Sequence, residues 1–212
     1  MLQWNFSMNA APIKNALGVF ILGAGASARM GRPKLLLPWS DTTVIGRIIA
    51  TWRELGAGQI AIVMRPDDAL LAAELDRLKF SRTNCIFNPH PEQGMFSSIL
   101  CAANWPDWRA SISSWTLVLG DQPQLDAKAL RPLLAFHAQN PGKICQPSLA
   151  GHGAHPVIFP RSALEQLKTT TAATLKDCLK LMASSCVQCE MDAPGLLLDL
   201  DTPEDYIRLQ SR

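Results

Sequence analysis

The sequence has few charged residues and no marked excess of either sign. Of its 212 residues, 18% are charged, with 20 Lys and Arg against 18 Asp and Glu, which leaves a formal net charge of +2. A nucleic-acid or membrane-surface partner would require clustered basic residues, and this balance gives no support for one. Because 48% of the residues are hydrophobic, wholesale disorder is excluded as well.

The sequence also lacks a long apolar segment, a cysteine framework and internal repeats. No apolar run approaches the roughly 18 residues that a membrane span needs, so we expect a soluble protein without a membrane partner. Six cysteines are too sparse for a disulfide scaffold. Cys186 and Cys189 form a lone C-x-x-C, without the second pair that is typical of a zinc site. A reduced, cytoplasmic setting is therefore predicted.

The length and the pattern of apolar residues predict one α/β domain. We expect a flexible extension over residues 1–15, in which Met8 is an alternative start, and a single domain over residues 16–212. Short apolar runs alternate with helical periodicity, which predicts a mostly parallel, doubly wound, Rossmann-like sheet in a three-layer α/β/α fold. Strands are predicted at 17–22, 59–64, 83–88, 115–119, 143–147, 156–159 and 187–191, and helices at 43–55, 67–78, 96–103, 126–139, 162–167, 171–182 and from 203.

The first predicted strand leads into a glycine-rich segment, LGAGASARMGRPKLLLP, which spans residues 22–38 and is called the signature segment below. Its three glycines allow backbone N–H groups to approach an anion closely, as in the nests that bind phosphates. Arg29 and Lys34 place two positive charges beside these glycines. The combination favours a triphosphate over a neutral ligand.

The signature segment also matches the dinucleotide fingerprint G-x-G-x-x-A over residues 23–28, which would indicate a nicotinamide-dependent oxidoreductase. That fingerprint requires a helix that opens directly at the glycines, and Gly31 and Pro33 interrupt it here. It also requires an acidic residue at the end of the second strand, which instead ends near Met64. No G-K-[ST] sequence is present, so a P-loop is excluded too.

The signature segment closely resembles the sequence L-A-A-G-x-S-x-R-M-G-x-x-K-L-L-L-P of the MobA-like nucleotidyltransferases, which attach a nucleotide to molybdopterin. The chain looks most like the cytidylyltransferase branch of that family, because of Ala24 and the Arg65-Pro66-Asp67 sequence. The resemblance implies a sheet of the nucleotide-diphospho-sugar transferase type. Four further blocks are similar to later parts of the family pattern and follow in the same order, at 88–99, 117–125, 154–159 and 196–206.

The resemblance implies roles for individual residues. Catalysis is expected from Arg29, Lys34 and Asp121. Contacts with the nucleotide are expected from Leu22, Gly23, Ala24, Gly25, Ala26, Ser27, Arg29, Lys34, Arg65, Asp67, Asn88, Gly94 and Ser98. Contacts with the acceptor are expected from Ser97, Gln122, Pro123 and His155. The two serines also suit the first turn of the helix that follows them, and the sequence does not choose between these roles.

A metal site is predicted at the carboxyl end of the fourth strand. Asp121 follows this strand, so its carboxylate emerges beside the signature segment, and Mg²⁺ in such sites uses one or two carboxylates plus substrate phosphate oxygens. Asp199 and Asp201 stand two residues apart on an extended segment and therefore point the same way. Asp201 is predicted as the second metal ligand, with Asp199 as the alternative. Asp201 is also suited to capping the helix that starts at Pro203.

These observations predict a magnesium-dependent enzyme that transfers CMP from CTP to molybdopterin and releases pyrophosphate. The stretch at 164–182 lacks the G-D-x-G-A-R element that is common in the family, and this region faces the acceptor there. Besides a nicotinamide-dependent oxidoreductase that would use the G-x-G-x-x-A sequence, two alternatives therefore stay open. One is transfer from CTP or another NTP to a different phosphorylated small molecule. The other is a non-catalytic carrier that passes molybdenum cofactor to a molybdoenzyme client.

Overall fold

A computed structural model describes residues 15–25 and 30–210 of the chain. The predicted extension, apart from Asn15, lies outside the described residues, and so do Ala26, Ser27 and Arg29. The strands, in chain order, are β1 (Leu17–Leu22), β2 (Pro38–Trp39), β3 (Thr42–Thr43), β4 (Gln59–Met64), β5 (Cys85–Phe87), β6 (Ser114–Leu119), β7 (Ile144–Leu149), β8 (His152–Gly153), β9 (Val157–Pro160) and β10 (Cys186–Glu190). The helices are α1 (Val44–Glu54), α2 (Ala69–Arg77), α3 (Met95–Ala103), α4 (Ala127–Gln139), α5 (Arg161–Lys168), α6 (Leu175–Leu181) and α7 (Pro203–Gln210).

Within the described part of the chain, one sheet has the strand order β10-β7-β9-β6-β1-β4-β5, with β8 paired to β7. The neighbours of β1, which are β4 and β6, run parallel to it, as β5 does to β4 and β10 to β7. By contrast, β9 runs antiparallel to both β6 and β7, and β8 is antiparallel to β7. The predicted mostly parallel, doubly wound sheet is confirmed, with an antiparallel strand inside it.

Helices cover both faces of this sheet, because each central strand is apolar on both sides. Alternate residues of a strand point to opposite faces. Val19 and Ile21 accordingly belong to the buried cluster that includes α1, α2 and α4, whereas Phe20 belongs to the cluster that includes α3, α5 and α6. This arrangement is the predicted three-layer fold. No helix in the described part of the chain is long and apolar enough to cross a membrane.

Side-chain caps set where several helices begin. Thr43 accepts a hydrogen bond from the backbone N–H of Gly46, so α1 starts one residue after the predicted position. Thr174 caps α6 in the same way through the N–H of Asp177, and the helix predicted from residue 171 therefore begins only at 175. The strand predicted at 83–88 is shortened to β5, because residues 82–84 form a 3-10 turn.

The parallel strands bring their carboxyl ends to one edge of the sheet. Strands β4 and β5 lie on one side of β1, and β6 lies on the other, so the chain reverses its direction of winding between β1 and β6. Ligands of doubly wound folds bind at such a switch point, outside the carboxyl ends of the strands. The signature segment leaves β1 at this edge, and Asp121 follows β6 there.

The ends of β1 and β6 approach so closely that Gly120 has no room for a side chain. A Cβ atom at this position would lie 2.5 Å from the backbone oxygen of Leu22 and 2.8 Å from Cδ2 of Leu35. The backbone oxygen belongs to a central strand and cannot move aside. A glycine is therefore required immediately before Asp121.

We expect Gly120→Ala to lower the free energy of unfolding by about 1–3 kcal/mol, because overpacking here displaces backbone atoms. Gly25→Ala is the matched control, since a Cβ there would meet nothing within 4 Å. Urea denaturation of the two variants measures the difference. Equal midpoints for both variants would contradict the close approach of the two strands.

Candidate functional site

A cavity of about 290 Å³ opens at the switch point between β1 and β6. Its walls are the two strand ends, the 3-10 turn at residues 34–36, and the loop and first turn around the start of α3. Eight of the residues predicted from the sequence line it, namely Leu22, Gly23, Ala24, Gly25, Lys34, Gly94, Ser98 and Asp121. The remaining lining comes from Leu35, Pro91, Met95, Leu119 and Gly120.

The turn after β1 is shaped for close approach by a ligand. The N–H of Gly23 is bonded to the backbone oxygen of Val63 at 2.7 Å, which ties the turn to β4. Gly25 faces open space, since a Cβ there would touch nothing within 4 Å. From residue 30 the described chain contains no α-helix before Val44, so the arrangement needed by the dinucleotide fingerprint is not formed there. The roles of Ala26, Ser27 and Arg29 stay predictions.

Lys34 lies against the carboxylate that was predicted as the metal ligand. Its Nζ is 2.7 Å from Oδ2 of Asp121 and 3.4 Å from Oδ1 of Asp201. The side chains of Lys34, Asp121 and Asp201 are 17%, 20% and 28% exposed, so these charges are only partly screened by water. The structure thus brings together the predicted catalytic lysine and both predicted metal ligands.

The turn that carries Asp121 is fastened to the C-terminal segment. The N–H of Leu200 donates to the backbone oxygen of Asp121 at 2.9 Å, and the amide of Gln122 donates to Oδ1 of Asp199 at 3.0 Å. Burial raises the pKa of Asp199, and the negative charge of Asp121 raises it further. Several carboxylates therefore crowd one small region beside the cavity.

Asp201 does not supply the cap of the last helix. The hydroxyl of Thr202 accepts from the N–H of Asp205 at 3.2 Å, and the Asp205 carboxylate accepts in return from the N–H of Thr202 at 3.0 Å. This reciprocal pair is a capping box, in which two unpaired donors at the helix start are satisfied. The carboxylate of Asp201 faces Lys34 instead, and its role as a metal ligand stays a prediction.

The donor set beside the cavity fits a magnesium ion that is shared with a substrate. Oδ1 of Asp121 is buried and has no hydrogen-bond partner among the described residues, which leaves a carboxylate oxygen in need of a positive ligand. The described residues form no group of three or more metal-binding side chains that would hold an ion unaided. Mg²⁺ commonly binds through one or two carboxylates and completes its octahedron with phosphate oxygens and water.

Asn88 holds the loop over the cavity in place. Its side chain is 1% exposed and donates to both Ser97 Oγ at 2.8 Å and Ser98 Oγ at 2.9 Å. Its own Oδ1 accepts from the N–H of His90 at 2.8 Å. In the structure the serines brace the start of α3 through Asn88, while Ser98 also reaches the cavity wall. A nucleotide contact for Asn88 and an acceptor contact for Ser97 stay predictions.

Arg65 and Asp67 lie just after β4, outside the cavity lining. Two parallel hydrogen bonds of 3.1 Å join the guanidinium to the carboxylate. This pairing raises the pKa of Arg65 and lowers that of Asp67. The pair is solvent-exposed, so it contributes little to stability. Its proposed contact with the nucleotide base stays a prediction.

The predicted acceptor contacts at Gln122, Pro123 and His155 are buried or half-buried beside Asp121. Gln122 uses its amide to hold Asp199 and the backbone oxygen of Leu196. The Nδ1 atom of His155 is buried without a hydrogen-bond partner among the described residues. Burial lowers the pKa of His155 to about 4, and the Asp121 carboxylate opposes this shift. The ring is therefore neutral at pH 7.

Besides the other unpredicted lining residues named above, two residues that fix the geometry of the site carry a different lesson about prediction from the sequence. Gly120 permits the close approach of β1 and β6, and its place between an apolar strand and Asp121 was a usable signal. Gln124 donates to the backbone oxygens of Gly195 at 3.0 Å and Leu198 at 2.6 Å, which fixes the segment leading to Asp199. Nothing in the local sequence marks that long-range contact.

Comparison with known proteins finds a matching family model and similar sequences and folds. The family model for the MobA-like NTP transferase domain matches residues 19–186. The chain is 25% identical to the molybdenum cofactor cytidylyltransferase of Escherichia coli (strain K12), over 93% of this chain and 97% of that protein. It is 26% identical to the purine catabolism protein PucB of Bacillus subtilis (strain 168), over 90% and 93%. A nucleotidyl transferase from Methanothermobacter superposes with a TM-score of 0.75 at 18% identity, over 93% and 97% of the two chains.

The buried imidazole of His155 predicts a specific pH dependence of stability. The folded chain resists protonation of this ring down to about pH 4, whereas the ordinary pKa is 6.5. The unfolded state therefore binds more protons between these values, and the free energy of unfolding falls as the pH is lowered through them. We expect His155→Gln to lose less stability from pH 6.5 to 4 than the wild type. Urea denaturation at a series of pH values measures this, and identical pH profiles would contradict it.

Proposed function

The chain belongs to the MobA-like NTP transferase family, and we propose that it transfers CMP from CTP to molybdopterin and releases pyrophosphate. The observation that carries this proposal is the convergence of the Gly23–Gly25 turn, Lys34 and Asp121 in one cavity at the switch point of the sheet. The identity to a molybdenum cofactor cytidylyltransferase over nearly the whole chain supports the choice of nucleotide and acceptor.

In the proposed reaction, a phosphate oxygen of the acceptor attacks the α-phosphorus of CTP. The new P–O bond forms as the bond between the α-phosphorus and the bridging oxygen breaks, and pyrophosphate leaves with that electron pair. A phosphate monoester is already ionised near neutral pH, since its second pKa lies near 6, so no side chain has to act as a general base. Positioning and charge neutralisation are what the protein supplies. We accordingly give His155 no role as a base.

The residues around the cavity are suited to positioning the phosphates and neutralising their charge. The backbone after β1 would cradle the phosphates, and the ammonium of Lys34 would neutralise negative charge on the departing pyrophosphate. Asp121, with Asp201 or Asp199, would hold Mg²⁺, which neutralises phosphate charge when it is bound. Arg29 is proposed to add a second positive charge, and Ala24 with Arg65 and Asp67 to select cytosine.

Transfer to a different phosphorylated acceptor is the second candidate function. In place of the family's usual element, residues 164–182 of this chain contain most of α5, a threonine-rich connection and α6. This departure concerns the acceptor side and leaves the nucleotide side unchanged. The similarity to a purine catabolism protein also favours a different acceptor, because the name of that protein does not refer to molybdenum cofactor.

The proposal is tested by the release of pyrophosphate from CTP, GTP, ATP or UTP with Mg²⁺, with molybdopterin and a panel of other phosphate monoesters as acceptors. We expect release with CTP and molybdopterin, and a fall in kcat of about 100-fold or more for Asp121→Asn, which removes the negative charge but keeps the shape. Thermal denaturation checks that the variant is folded.

Release with another acceptor alone would assign the second candidate function. Failure of every pair of substrates would refute an enzymatic role and favour a carrier of molybdenum cofactor. An Asp121→Asn variant with the wild-type rate would refute the metal assignment.

The contact between Lys34 and Asp121 predicts that the lysine opposes metal binding before the nucleotide arrives. We expect Lys34→Gln to bind Mn²⁺ alone about tenfold more tightly than the wild type, because a positive charge is removed from 2.7 Å beside the ligand oxygen. Lys34→Arg keeps the charge and should resemble the wild type. Electron paramagnetic resonance of unbound Mn²⁺ gives the affinities.

Lys128→Gln is the control for net charge, since Lys128 is an exposed residue of α4. Adding Asp121→Asn to Lys34→Gln should abolish the gain in affinity. Unchanged Mn²⁺ affinity in Lys34→Gln would show that the ammonium and the metal do not compete.

A further inference from the structure

Tyr206 on α7 contacts residues on both sides of Lys34, although the proposed reaction does not use it. Its hydroxyl donates to the backbone oxygen of Pro38 at 2.5 Å. Its ring lies 5.7 Å from the guanidinium carbon of Arg32 and 6.4 Å from the ring of Trp39, measured to the ring centres. The side chain of Tyr206 thus contacts the signature segment at Arg32, before Lys34, and strand β2, which follows the turn of Lys34.

The turn that carries Lys34 has few backbone hydrogen bonds of its own, and its apolar side chains, Leu35 and Leu37, are buried in the core. It forms a single 3-10 turn over residues 34–36, and Pro33 before it makes no side-chain cap. The hydrogen bonds within it run from Leu36 N–H to Pro33 at 3.1 Å and from Leu37 N–H to Lys34 at 3.2 Å. A turn this short is not stable alone, so contacts from outside set its position.

The segment that precedes α7 is fixed to Asp121. The segment before α7 is bonded to the Asp121 backbone through the N–H of Leu200, and the capping box of Thr202 and Asp205 joins it to the helix. Leu209 anchors the last turn of α7 in the core at 3% exposure. The helix therefore provides a rigid link between the turn of Asp121 and the segment of Lys34.

A second donor strengthens the contact at Pro38. The amide of Gln210 donates to the same backbone oxygen at 3.0 Å and to the hydroxyl of Tyr206 at 2.8 Å. The hydroxyl thus accepts one hydrogen bond and donates another, which fixes its orientation. The oxygen of Pro38, the hydroxyl of Tyr206 and the amide nitrogen of Gln210 thus form a closed triangle of hydrogen bonds.

We propose that Tyr206 is a positioning residue that holds the ammonium of Lys34 at the phosphate subsite. This rests on the proposed function, in which Lys34 neutralises phosphate charge. Small displacements are costly for such a role, because a shift of about 1 Å produced by a distant mutation reduces rates by up to about 100-fold. The competing explanation is that Tyr206 only stabilises the fold, and a double-mutant cycle with Lys34 separates the two.

We expect Tyr206→Ala to weaken CTP binding about tenfold, as measured by calorimetry, and to lower kcat by a similar factor. Tyr206→Phe keeps the ring contacts with Arg32 and Trp39 and loses only the hydroxyl, so it should weaken binding by about threefold. In a Lys34→Ala background, Tyr206→Ala should change CTP binding by less than about twofold, because the group through which it acts is already gone.

Lys128→Ala serves as the control, since that side chain of α4 is exposed, and it should leave CTP binding unchanged. Equal losses from Tyr206→Ala with and without Lys34 would overturn the proposal and assign Tyr206 a purely structural role. Should Tyr206→Ala not fold, the cycle is run with Tyr206→Phe, for which a threefold loss must disappear in the Lys34→Ala background. A wild-type chain that binds no CTP would refute the proposed function itself, whereas normal CTP binding with additive losses refutes only the role of Tyr206.

Discussion

The structure depends on one ammonium group set among carboxylates at the carboxyl edge of the sheet. Asp121, Asp199 and Asp201 converge there, and the pKa of Asp199 is raised first by burial and further by repulsion from the other two carboxylates. Lys34, 2.7 Å from Asp121 and 3.4 Å from Asp201, offsets part of that repulsion. Among the described residues of the site, three carboxylates face this one lysine, which suits the proposed binding of a divalent cation. In the proposed function the same lysine also contacts the triphosphate, which would couple metal and nucleotide binding through it.

The central strands determine where these charged residues meet. Because β1 and β6 are neighbours and parallel, the residues that follow them emerge side by side, although they are far apart in the chain. Gly120 allows the two strand ends to approach within backbone contact, and Gly23 is tied to β4 through Val63. Both approaches bring the signature segment and Asp121 to the same edge of the sheet, where Lys34 and Asp121 are in contact. The need for a glycine at residue 120 is thus a steric consequence of how closely the two strands pack.

Much of this arrangement could be predicted from the sequence, because the signals are local. The apolar runs at 17–22 and 59–64 mark two central strands whose bounds agree with the structure. The signature segment brings its glycines and Lys34 together within a few residues. Membership of the MobA-like family, expected from five ordered blocks of resemblance, is confirmed by the family model. The contact of Lys34 with Asp121 could not be derived so directly, since 87 residues separate them and only strand adjacency joins them.

The features that escaped prediction depend on partners far away in the chain. The hydrogen bonds of Gln124 reach across about 70 residues, and those of Tyr206 reach back across 168. No periodicity or spacing encodes such a pairing. The antiparallel direction of β9 is similar, because a short apolar run has the same pattern in either direction. Asp201 shows the converse case, in which a local rule for helix caps competed with a distant ion pair and the cap went to Thr202.

The C-terminal segment contributes negative charge to the site and is not suited to binding phosphate by itself. Residues 182–207 contain six acidic residues and no Lys or Arg. This segment therefore brings carboxylates to an edge where a triphosphate is proposed to bind, and it would repel the nucleotide if nothing stood between them. In the proposed function, Lys34 and a divalent cation offset the repulsion between these carboxylates and the triphosphate. Lys34 does so through its contact with Asp201, and the cation would do so by binding both carboxylate and phosphate oxygens. The protein thus has a low net charge, and its positive and negative charges lie close together at this site. The proposed dependence of catalysis on both Mg²⁺ and Lys34 follows from that arrangement.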